Sequence, residues 1–385
     1  MIPFFSRRNQ VYPVLRQGRG AVEKHFLSLE DWRREDALYT LLKDLLPLPE
    51  VLESRPGCLT LSLCPAPTLL EVLEEQERSE FSPLPWKSLG AWLRRCGARC
   101  GRLPLDGNLR NFLWDGGQIL ALDLESFHTA PLTECGAAII AALLSYKPEG
   151  TPVKRMAAAL LAAELEVTDH AIGAAAEALA LRRGGGKACA FSGIVLAGGM
   201  SRRMGRNKDG LMLGDKTLLQ WQVGKLRSLG ITDILISGGQ HLSQPGIRTV
   251  PDIFPRRGPL GGLHACLKEA ENPQCVVLSV DVPLVPVNAL AQLCRSYGGG
   301  VTALRCGEKT EPLIGVYASG LSAKIYPLIE KGGAPVRSLQ TAGRWEFFDY
   351  LGPVEYLRNC NTPESFQAVK DLLEAYTEKG VPLCF

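Results

Sequence analysis

Residues 194–208 read I-V-L-A-G-G-M-S-R-R-M-G-R-N-K and decide how the second half of the chain folds. An apolar run of strand length passes directly into a loop that combines glycines with positive charge. Glycine lets a backbone approach a ligand closely, and cationic side chains pair with phosphate oxygens. The residues with these properties are Gly198, Gly199, Arg202, Arg203, Gly205 and Lys208. We therefore predict a loop that cradles the phosphates of a nucleotide.

The spacing of this loop excludes two common nucleotide-binding motifs. A Walker A loop needs Lys-Ser or Lys-Thr directly after its last glycine, and a dinucleotide-binding loop needs G-x-G-x-x-G. Neither pattern occurs in residues 194–208. The loop therefore points away from P-loop ATPases and from dehydrogenases.

Further short motifs follow in the second half of the chain. They are V-P-D at 250–252, G-P-L-G-G at 258–262, S-V-D-V-P at 279–283, E-P-L at 311–313 and N-C-N-T-P at 359–363. Together with the glycine-rich loop, they resemble the ordered signature of small nucleotidyltransferases. The Leu-Ala-Gly-Gly form of the loop most resembles molybdenum cofactor guanylyltransferases. The resemblance covers residues 190–375, about half of the chain.

From Ser192 onward the pattern alternates strands and helices, which predicts a Rossmann-like α/β domain with a mostly parallel sheet. The clearest strands are expected at 193–197, 232–236 and 276–280. Asp281 directly follows the last of these strands. Because ligands of open α/β sheets bind outside the carboxyl ends of the strands, we expect Asp281 and the cationic loop to share one crevice.

Nucleotidyl transfer needs a metal ion on phosphate oxygens, cations on the leaving pyrophosphate and an aligned acceptor phosphate that is already ionised. Asp281 offers the hard oxygen ligand that Mg²⁺ prefers, so we expect it to bind the metal. We expect Arg203 and Lys208 to stabilise the β- and γ-phosphates during displacement. The structural alternatives are a solvated charged turn for the cations and a strand-terminal turn for Asp281.

The resemblance implies a set of nucleotide-binding positions. They are Leu196, Ala197, Gly198, Gly199, Lys208, Asp252, Asp281, Asn359 and Asn361. Asp252 matches an aspartate that the family uses at the guanine nucleotide. A carboxylate can accept from the N1 and N2 protons of guanine, so the residue type fits recognition of the base or of the ribose. By the same resemblance, the Asn-x-Asn turn would contact the metal and the acceptor. Thr362 and Pro363 also fit simple helix initiation. The chain departs from the family at 237–239, where Ser-Gly-Gly replaces a frequent asparagine.

The activity that the resemblance implies is transfer of GMP from MgGTP to molybdopterin, which forms the guanine dinucleotide cofactor and releases pyrophosphate. A CTP-dependent molybdopterin cytidylyltransferase and a sugar- or polyol-phosphate nucleotidyltransferase are the enzyme alternatives. The implied partners are GTP and molybdopterin, with molybdenum cofactor insertion proteins or molybdoenzyme chaperones as protein partners.

The run R-R-G-G-G at 182–186 predicts a linker over 184–190. This linker would separate an N-terminal domain, residues 1–183, from the nucleotidyltransferase domain, residues 191–385. The N-terminal segment at 105–125 reads L-D-G-N-L-R-N-F-L-W-D-G-G-Q-I-L-A-L-D-L-E. Its Asp-Gly-Gly predicts a hairpin turn between two short strands, with Asn111 and Asp123 meeting at the open end.

This loop, hairpin and following aspartate resemble the catalytic and metal-binding segments of protein-kinase-like and aminoglycoside-phosphotransferase-like folds. The resemblance implies an α+β kinase-like domain in which Asp106 is the catalytic base, and Asn111 and Asp123 bind Mg²⁺. Lys24 would pair with nucleotide phosphates and Glu35 would be its helix partner. Pro104 stands where a histidine is usual, which leaves two alternatives. One is a pseudokinase module that senses nucleotide, and the other is an accessory domain in which 106–108 is only a turn.

The composition is that of an ordinary globular protein, with 385 residues, 46% of them hydrophobic and 22% charged, and a formal net charge of +3. So small a charge does not predict a nucleic-acid partner. The longest apolar runs, 135–144 and 157–163, are shorter than the ~20 residues that span a bilayer, and the N-terminus lacks the ordered regions of a signal peptide. We therefore expect a cytoplasmic protein without a membrane partner. Twelve scattered cysteines with no C-x-x-C predict reduced, buried thiols.

Overall fold

The computed structural model divides the chain into two compact units. It describes residues 9–105, 107–146, 148–184, 191–197, 210–238, 245–254, 257–330, 335–341 and 343–379. The first unit comprises Met1–His25 together with Ala188–Phe385, and the second comprises Phe26–Lys187. Within the described ranges, every cysteine is a free thiol, and no helix is both long and apolar enough to cross a membrane.

An N-terminal hairpin forms part of the first unit. Its strands are β1 (Gln10–Arg16) and β2 (Arg19–His25), which pair antiparallel. The hydroxyl of Tyr356 donates to the carbonyl oxygen of Pro13 at 2.5 Å, and the rings of Tyr12 and Tyr350 pack edge to face with centroids 5.2 Å apart. The structure therefore divides the chain differently from the expected boundary at residue 183. These contacts to the C-terminal part of the chain are the physical reason.

The second unit contains both helices and short strands. Its elements are α1 (Leu29–Leu42), β3 (Val51–Arg55), β4 (Cys58–Ser62), α2 (Leu69–Gln76), α3 (Leu84–Cys100), β5 (Arg102–Pro104), a 3₁₀ turn (Leu109–Asn111), β6 (Phe112–Trp114), β7 (Ile119–Ala121), β8 (Phe127–Thr129), α4 (Leu132–Ser145), α5 (Pro152–Leu165) and α6 (Asp169–Gly184). Its core includes the fully buried Trp92, whose ring meets those of Phe112 and Phe127 edge to face. Because α6 extends to Gly184, the expected linker begins inside a helix.

The hairpin predicted in this unit is confirmed. Strands β6 and β7 pair antiparallel, and the carboxylate of Asp115 accepts hydrogen bonds from the N–H groups of Gly117 at 2.9 Å and Gln118 at 2.8 Å. At the open end, the N–H of Leu122 donates to the carbonyl oxygen of Asn111 at 2.8 Å. Asn111 and the segment that carries Asp123 therefore lie side by side, as the sequence predicts.

The rest of the first unit is a mixed sheet with helices. Its elements are β9 (Phe191–Leu196), β10 (Met212–Leu213), β11 (Lys216–Thr217), α7 (Leu218–Ser228), β12 (Asp233–Ser237), β13 (Ile247–Val250), α8 (Pro259–Glu269), β14 (Gln274–Ser279), α9 (Val287–Arg295), β15 (Val301–Cys306), β16 (Lys309–Ala318), α10 (Ser322–Glu330), β17 (Trp345–Asp349) and α11 (Pro363–Glu378), with 3₁₀ turns at Ser319–Leu321, Val336–Thr341 and Val354–Leu357. The seven-stranded sheet has the order β13-β12-β9-β14-β16-β15-β17. β16 runs antiparallel to both of its neighbours, and the other described pairs are parallel. The predicted α/β class with a mostly parallel sheet is confirmed.

The central strands are buried, and their sequences are mostly apolar. β12 is buried at every residue, and β9 and β14 are buried at every residue after the first. Such strands need a cover on both faces of the sheet, which the helices supply. The strand register also keeps their carboxyl ends level, since Ser237 lies opposite both Val250 and Leu196, and Leu196 lies opposite Ser279. Residues that follow these strands therefore gather at one edge.

Candidate functional site

The candidate site lies at the carboxyl edge of β13, β12, β9 and β14. Asp252 follows the first of these strands and Asp281 follows the last. Adjacent strands are ~4.8 Å apart, so β13 and β14 are separated by three spacings, roughly 14 Å. That width suits a nucleotide laid across the strand ends. The end of β9 lies at the same edge as Asp281. The cationic loop expected to share this crevice lies outside the described residues, so that expectation stays a prediction.

Asp281 is held by contacts from several directions. The Ser279 hydroxyl donates to its carboxylate oxygen Oδ1 at 2.5 Å. The backbone N–H of Cys360 donates to the Asp281 carbonyl at 2.7 Å, and the N–H of Val280 donates to the carbonyl of Leu196 at 3.2 Å. The side chain is partly exposed at the strand end. An oriented and accessible carboxylate is what a metal ligand requires.

The Asn-x-Asn turn lies against Asp281. Asn359 and Asn361 flank Cys360, whose N–H makes the hydrogen bond to Asp281. Thr362 caps α11 through a capping box with Ser365. Helix initiation by Thr362 and Pro363 is therefore confirmed. The same turn contacts the backbone of Asp281 through Cys360. Roles for the Asn359 and Asn361 side chains at the metal and acceptor stay predictions.

Asp252 presents a buried oxygen at the other end of the crevice. Its Oδ1 has no hydrogen-bond partner among the residues that the structure describes. Burial raises the pKa of Asp252 above its ordinary value, and the Ser237 hydroxyl acts in the opposite sense. Gly262, in the first turns of α8, packs against both residues. A carboxylate in this state favours a ligand that can donate a hydrogen bond.

The glycine-rich loop begins at this edge. Leu196 is the last residue of β9, and the N–H of Ala197 donates to the carbonyl of Ser237 at 3.2 Å. The remaining predicted loop residues lie outside the described residues, and their roles stay predictions. They are Gly198, Gly199, Arg202, Arg203, Gly205 and Lys208.

Sequence reasoning missed three residues that contact the turn carrying Asp281. One is Ser279, which orients the carboxylate. The others are Gln222 and Lys225 of α7, which donate to backbone carbonyls of residues 279–283. A signal was present in the sequence, because both are polar residues on the buried face of an amphipathic helix. Their partners could not be read from that signal.

Comparison with known proteins assigns the C-terminal part of the chain. Residues 193–344 match the model of the MobA-like NTP transferase domain. A relative from Carboxydothermus hydrogenoformans, named probable molybdenum cofactor guanylyltransferase, is 31% identical over 186 residues, which are 45% of this chain and 91% of the relative. The chain belongs to the MobA-like NTP transferase family.

Other similar proteins cover comparable parts of this MobA-like transferase. A relative from Pelotomaculum thermopropionicum with the same name is 36% identical over 132 residues, which are 34% of this chain and 64% of the relative. A solved structure of molybdopterin-guanine dinucleotide biosynthesis protein A from Archaeoglobus fulgidus is 19% identical, has a TM-score of 0.41, and covers 48% of this chain and 99% of that chain.

The second unit of the MobA-like transferase gathers three acidic side chains. Glu35 of α1, Asp123 and Glu125 each offer a carboxylate oxygen, and these oxygens lie within 4.8 Å of one another. Glu35 and Glu125 are buried, and Asp123 is partly exposed. The structure thus brings Glu35 together with Asp123, and adds Glu125, which sequence reasoning did not single out. Lys24 is buried on β2 in the other unit, and its pairing with Glu35 stays a prediction.

The loop before the hairpin is fixed by local contacts. Gly107 has a φ of 64°, and a Cβ at this position would lie 2.5 Å from the carbonyl oxygen of Ala138, so a side chain is excluded. Asn108 accepts from the N–H of Arg110 at 3.2 Å and donates to the side-chain oxygen of Asn111 at 3.5 Å. Asp106 lies outside the described residues. The kinase-like interpretation stays a prediction.

Proposed function

We propose that this MobA-like chain transfers GMP from GTP to the terminal phosphate of molybdopterin, forming the guanine dinucleotide cofactor and releasing pyrophosphate. One observation carries the proposal. The hydrogen bond from Cys360 N–H to the Asp281 carbonyl joins the Asn-x-Asn turn to the backbone of Asp281, at the edge of the sheet where β9 ends. The names of the relatives support GTP as the donor and molybdopterin as the acceptor.

The residues at this edge fit a Mg²⁺ ion. The carboxylate of Asp281 and the side-chain amide oxygens of Asn359 and Asn361 are hard oxygen donors of the kind that this cation prefers. When bound, Mg²⁺ would neutralise charge on the phosphate oxygens of the nucleotide. Ser279 orients the carboxylate for this task, since its hydroxyl donates to Oδ1 at 2.5 Å. The donor set therefore supports Asp281 as the metal ligand.

For this reaction the protein has to align the attacking oxygen with the α-phosphorus and to neutralise the charge of the leaving pyrophosphate. An oxygen of the acceptor's terminal phosphate attacks the α-phosphorus of GTP, and the bond from that phosphorus to the bridging α–β oxygen breaks as pyrophosphate leaves. The attacking oxygen is already ionised, so no general base is needed. Arg203 and Lys208 would stabilise the negative charge on the departing phosphates.

Asp252 is our candidate for base recognition. Its Oδ1, which has no hydrogen-bond partner within the described part of the chain, can accept from the N1 or N2 proton of guanine. The exocyclic amine of cytosine is also a donor, so this carboxylate does not by itself separate GTP from CTP. The two nucleotides therefore have to be compared directly.

The test is to incubate the full chain and MgCl₂ with molybdopterin, supplying GTP or CTP in parallel, and to measure pyrophosphate and dinucleotide cofactor. We expect product with GTP and little with CTP. Product with CTP alone would establish the cytidylyltransferase. Product with neither nucleotide would mean that molybdopterin is not the acceptor. Asp252→Asn should lower the preference for GTP over CTP while pyrophosphate release remains measurable.

We also propose a second nucleotide-binding activity for the unit Phe26–Lys187. The convergence of Glu35, Asp123 and Glu125 supports a site for a divalent cation, which a phosphotransferase or a nucleotide-sensing pseudokinase would need. The test is calorimetric titration of the full chain with MgATP and MgGTP, comparing Asp123→Ala with Asp281→Ala. MgATP binding that Asp123→Ala removes and Asp281→Ala leaves intact would support a site in this unit. A stoichiometry unaffected by Asp123→Ala would contradict it.

A further inference from the structure

Two polar side chains occupy the buried face of α7, where apolar residues are expected. Gln222 and Lys225 are each only 1% exposed, and they share that face with Leu218, Leu219 and Leu226. Burying an amide or an amine costs free energy unless it gains hydrogen bonds, and an apolar residue of similar size avoids that cost. Packing alone therefore does not explain these residues.

Both side chains donate to the turn that carries Asp281. The amide nitrogen of Gln222 donates to the carbonyl oxygen of Ser279 at 2.7 Å and to that of Val282 at 2.9 Å. These two carbonyls bracket Asp281 in the sequence. The ammonium group of Lys225 donates to the carbonyl of Pro283, which is the next residue along. Three backbone positions around one carboxylate are thus fixed from a single helix.

Burying the Lys225 side chain to make one hydrogen bond has an unfavourable desolvation free energy. Burial lowers the pKa of Lys225 to about 7, far below the ordinary value for a lysine. In the charged state it pays a large desolvation cost, and a neutral amine still leaves polar hydrogens to satisfy. A lysine at this buried site is therefore better explained by a role in positioning the Asp281 turn than by a contribution to stability.

The start of α7 is tied to the segment that follows the glycine-rich loop. The N–H of Leu218 donates to the carbonyl of Leu211 at 2.9 Å, and the indole N–H of Trp221 donates to the carbonyl of Leu213 at 2.8 Å. Thr217 closes the helix start with a capping box. Helix α7 therefore contacts both residues 211–213, which follow the glycine-rich loop in the sequence, and the turn that carries Asp281.

We propose that Gln222 and Lys225 are positioning residues, which hold the Asp281 turn in the geometry needed to bind the metal ion of the metal–nucleotide complex. They act through the carbonyls of Ser279, Val282 and Pro283 and do not touch the substrate. The proposal rests on the function proposed above, in which Asp281 binds the metal. A side chain of equal bulk that cannot donate should leave the fold intact and loosen the metal site.

The test compares Lys225→Met and Gln222→Met with Lys225→Arg, which keeps a donor. Arg227→Met is the matched control, because Arg227 is an exposed cation of the same helix that donates to the carbonyl of Pro245, away from Asp281. For each protein one measures kcat, KM for GTP, the Mg²⁺ concentration that gives half-maximal rate, and Tm. For both methionine variants, we expect kcat to fall at least tenfold and the Mg²⁺ requirement to rise at least fivefold. Tm should fall only slightly, because each lost donor leaves a buried carbonyl without that hydrogen bond while the apolar side chain avoids the cost of burying a polar one. Lys225→Arg and the control should stay within threefold of the parent protein.

The outcomes separate this inference from the proposed function. If the parent protein is active and both methionine variants keep its kcat and Mg²⁺ requirement within twofold, the inference is wrong. If both methionine variants lose Tm in proportion to their activity, the residues support the fold instead, and the inference also fails. If the parent protein does not transfer GMP, the proposed function fails. The inference is then decided by whether the variants weaken Mg²⁺-dependent GTP binding in calorimetry, and a parent protein without such binding overturns both.

Discussion

Gly262 of α8 lies so close to Ser237 that a Cβ atom on Gly262 would overlap the Ser237 hydroxyl. The added atom would also lie 2.8 Å from the Cβ of Ser237 and 3.2 Å from the Oδ1 of Asp252. Rotation of the hydroxyl cannot relieve the contact with Cβ, which is fixed to the backbone. Helix α8 therefore approaches the end of β12 and the Asp252 carboxylate so closely that Gly262 has no room for a side chain.

We expect Gly262→Ala to lower the free energy of unfolding by about 1–3 kcal/mol, because a methyl group is forced into a filled space. GTP binding should weaken as well, since the displaced atoms include the Asp252 carboxylate. Gly224→Ala is the control, because no atom lies within 4 Å of a Cβ added there and alanine favours the helix. Thermal unfolding and calorimetry of both variants check the prediction. Equal Tm values for the two would contradict it.

We expect Asp281→Asn to reduce transfer activity on the order of 100-fold or more, because the charge opposite the metal–nucleotide complex is lost while the shape is kept. Tm should change little, since the side chain is partly exposed and its backbone contacts remain. The initial rate of pyrophosphate release and the Tm are the two measurements. Asp215→Asn, at an exposed position in the turn between β10 and β11, is the control. Full activity of Asp281→Asn would remove Asp281 from the mechanism.

Local patterns were sufficient to predict the elements that place the site. The apolar run at 276–280 predicts the strand before Asp281, and Thr362 with Pro363 predicts the start of α11, because each signal lies within a few neighbouring residues. Parallel strands have their carboxyl ends at the same edge of a sheet, where ligands bind, so the sequence also predicts that the ends of β9 and β14 lie at one edge.

The contacts that fix the site geometry could not be predicted in this way. Gln222 donates to carbonyls of Ser279 and Val282, 57 and 60 residues further along the chain. Backbone carbonyls leave no trace in the sequence, so the partner of a buried polar side chain is invisible until the fold is known. The N-terminal hairpin gives a second case, since Gln10 donates to the carbonyl of Asp349, 339 residues away. No local pattern of residues 9–25 indicates that distant attachment.

Asp233 should make the first unit sensitive to acid. Burial acts to raise its pKa, but hydrogen bonds from Ser192 at 2.5 Å, Arg248 at 2.6 Å and the N–H of Glu271 at 3.0 Å outweigh burial and hold the pKa below the ordinary 3.8. A lowered pKa gives stability that is present above pH 3.8 and is lost as the pH falls through the native value. We therefore expect Asp233→Asn to lower Tm at pH 7 and to approach the parent protein below pH 3.8. Thermal unfolding across pH 3 to 8 checks this, and a Tm difference independent of pH would contradict it.

The N-terminal hairpin is attached to the rest of the first unit partly through Tyr356. The hydroxyl of the fully buried Tyr356 donates to the carbonyl of Pro13 at 2.5 Å, so Tyr356→Phe leaves that carbonyl without this donor. We expect a loss of about 1 kcal/mol, the usual net value of one hydrogen bond, and faster hydrogen exchange in residues 9–25. Tyr326→Phe, at a side chain that is 41% exposed, is the control and should change neither quantity. Hydrogen exchange measured by mass spectrometry separates local release of the hairpin from a general loss of stability. Unchanged exchange in residues 9–25 would mean that this bond does not hold the hairpin, because a strand released from the unit would expose its backbone N–H groups to water.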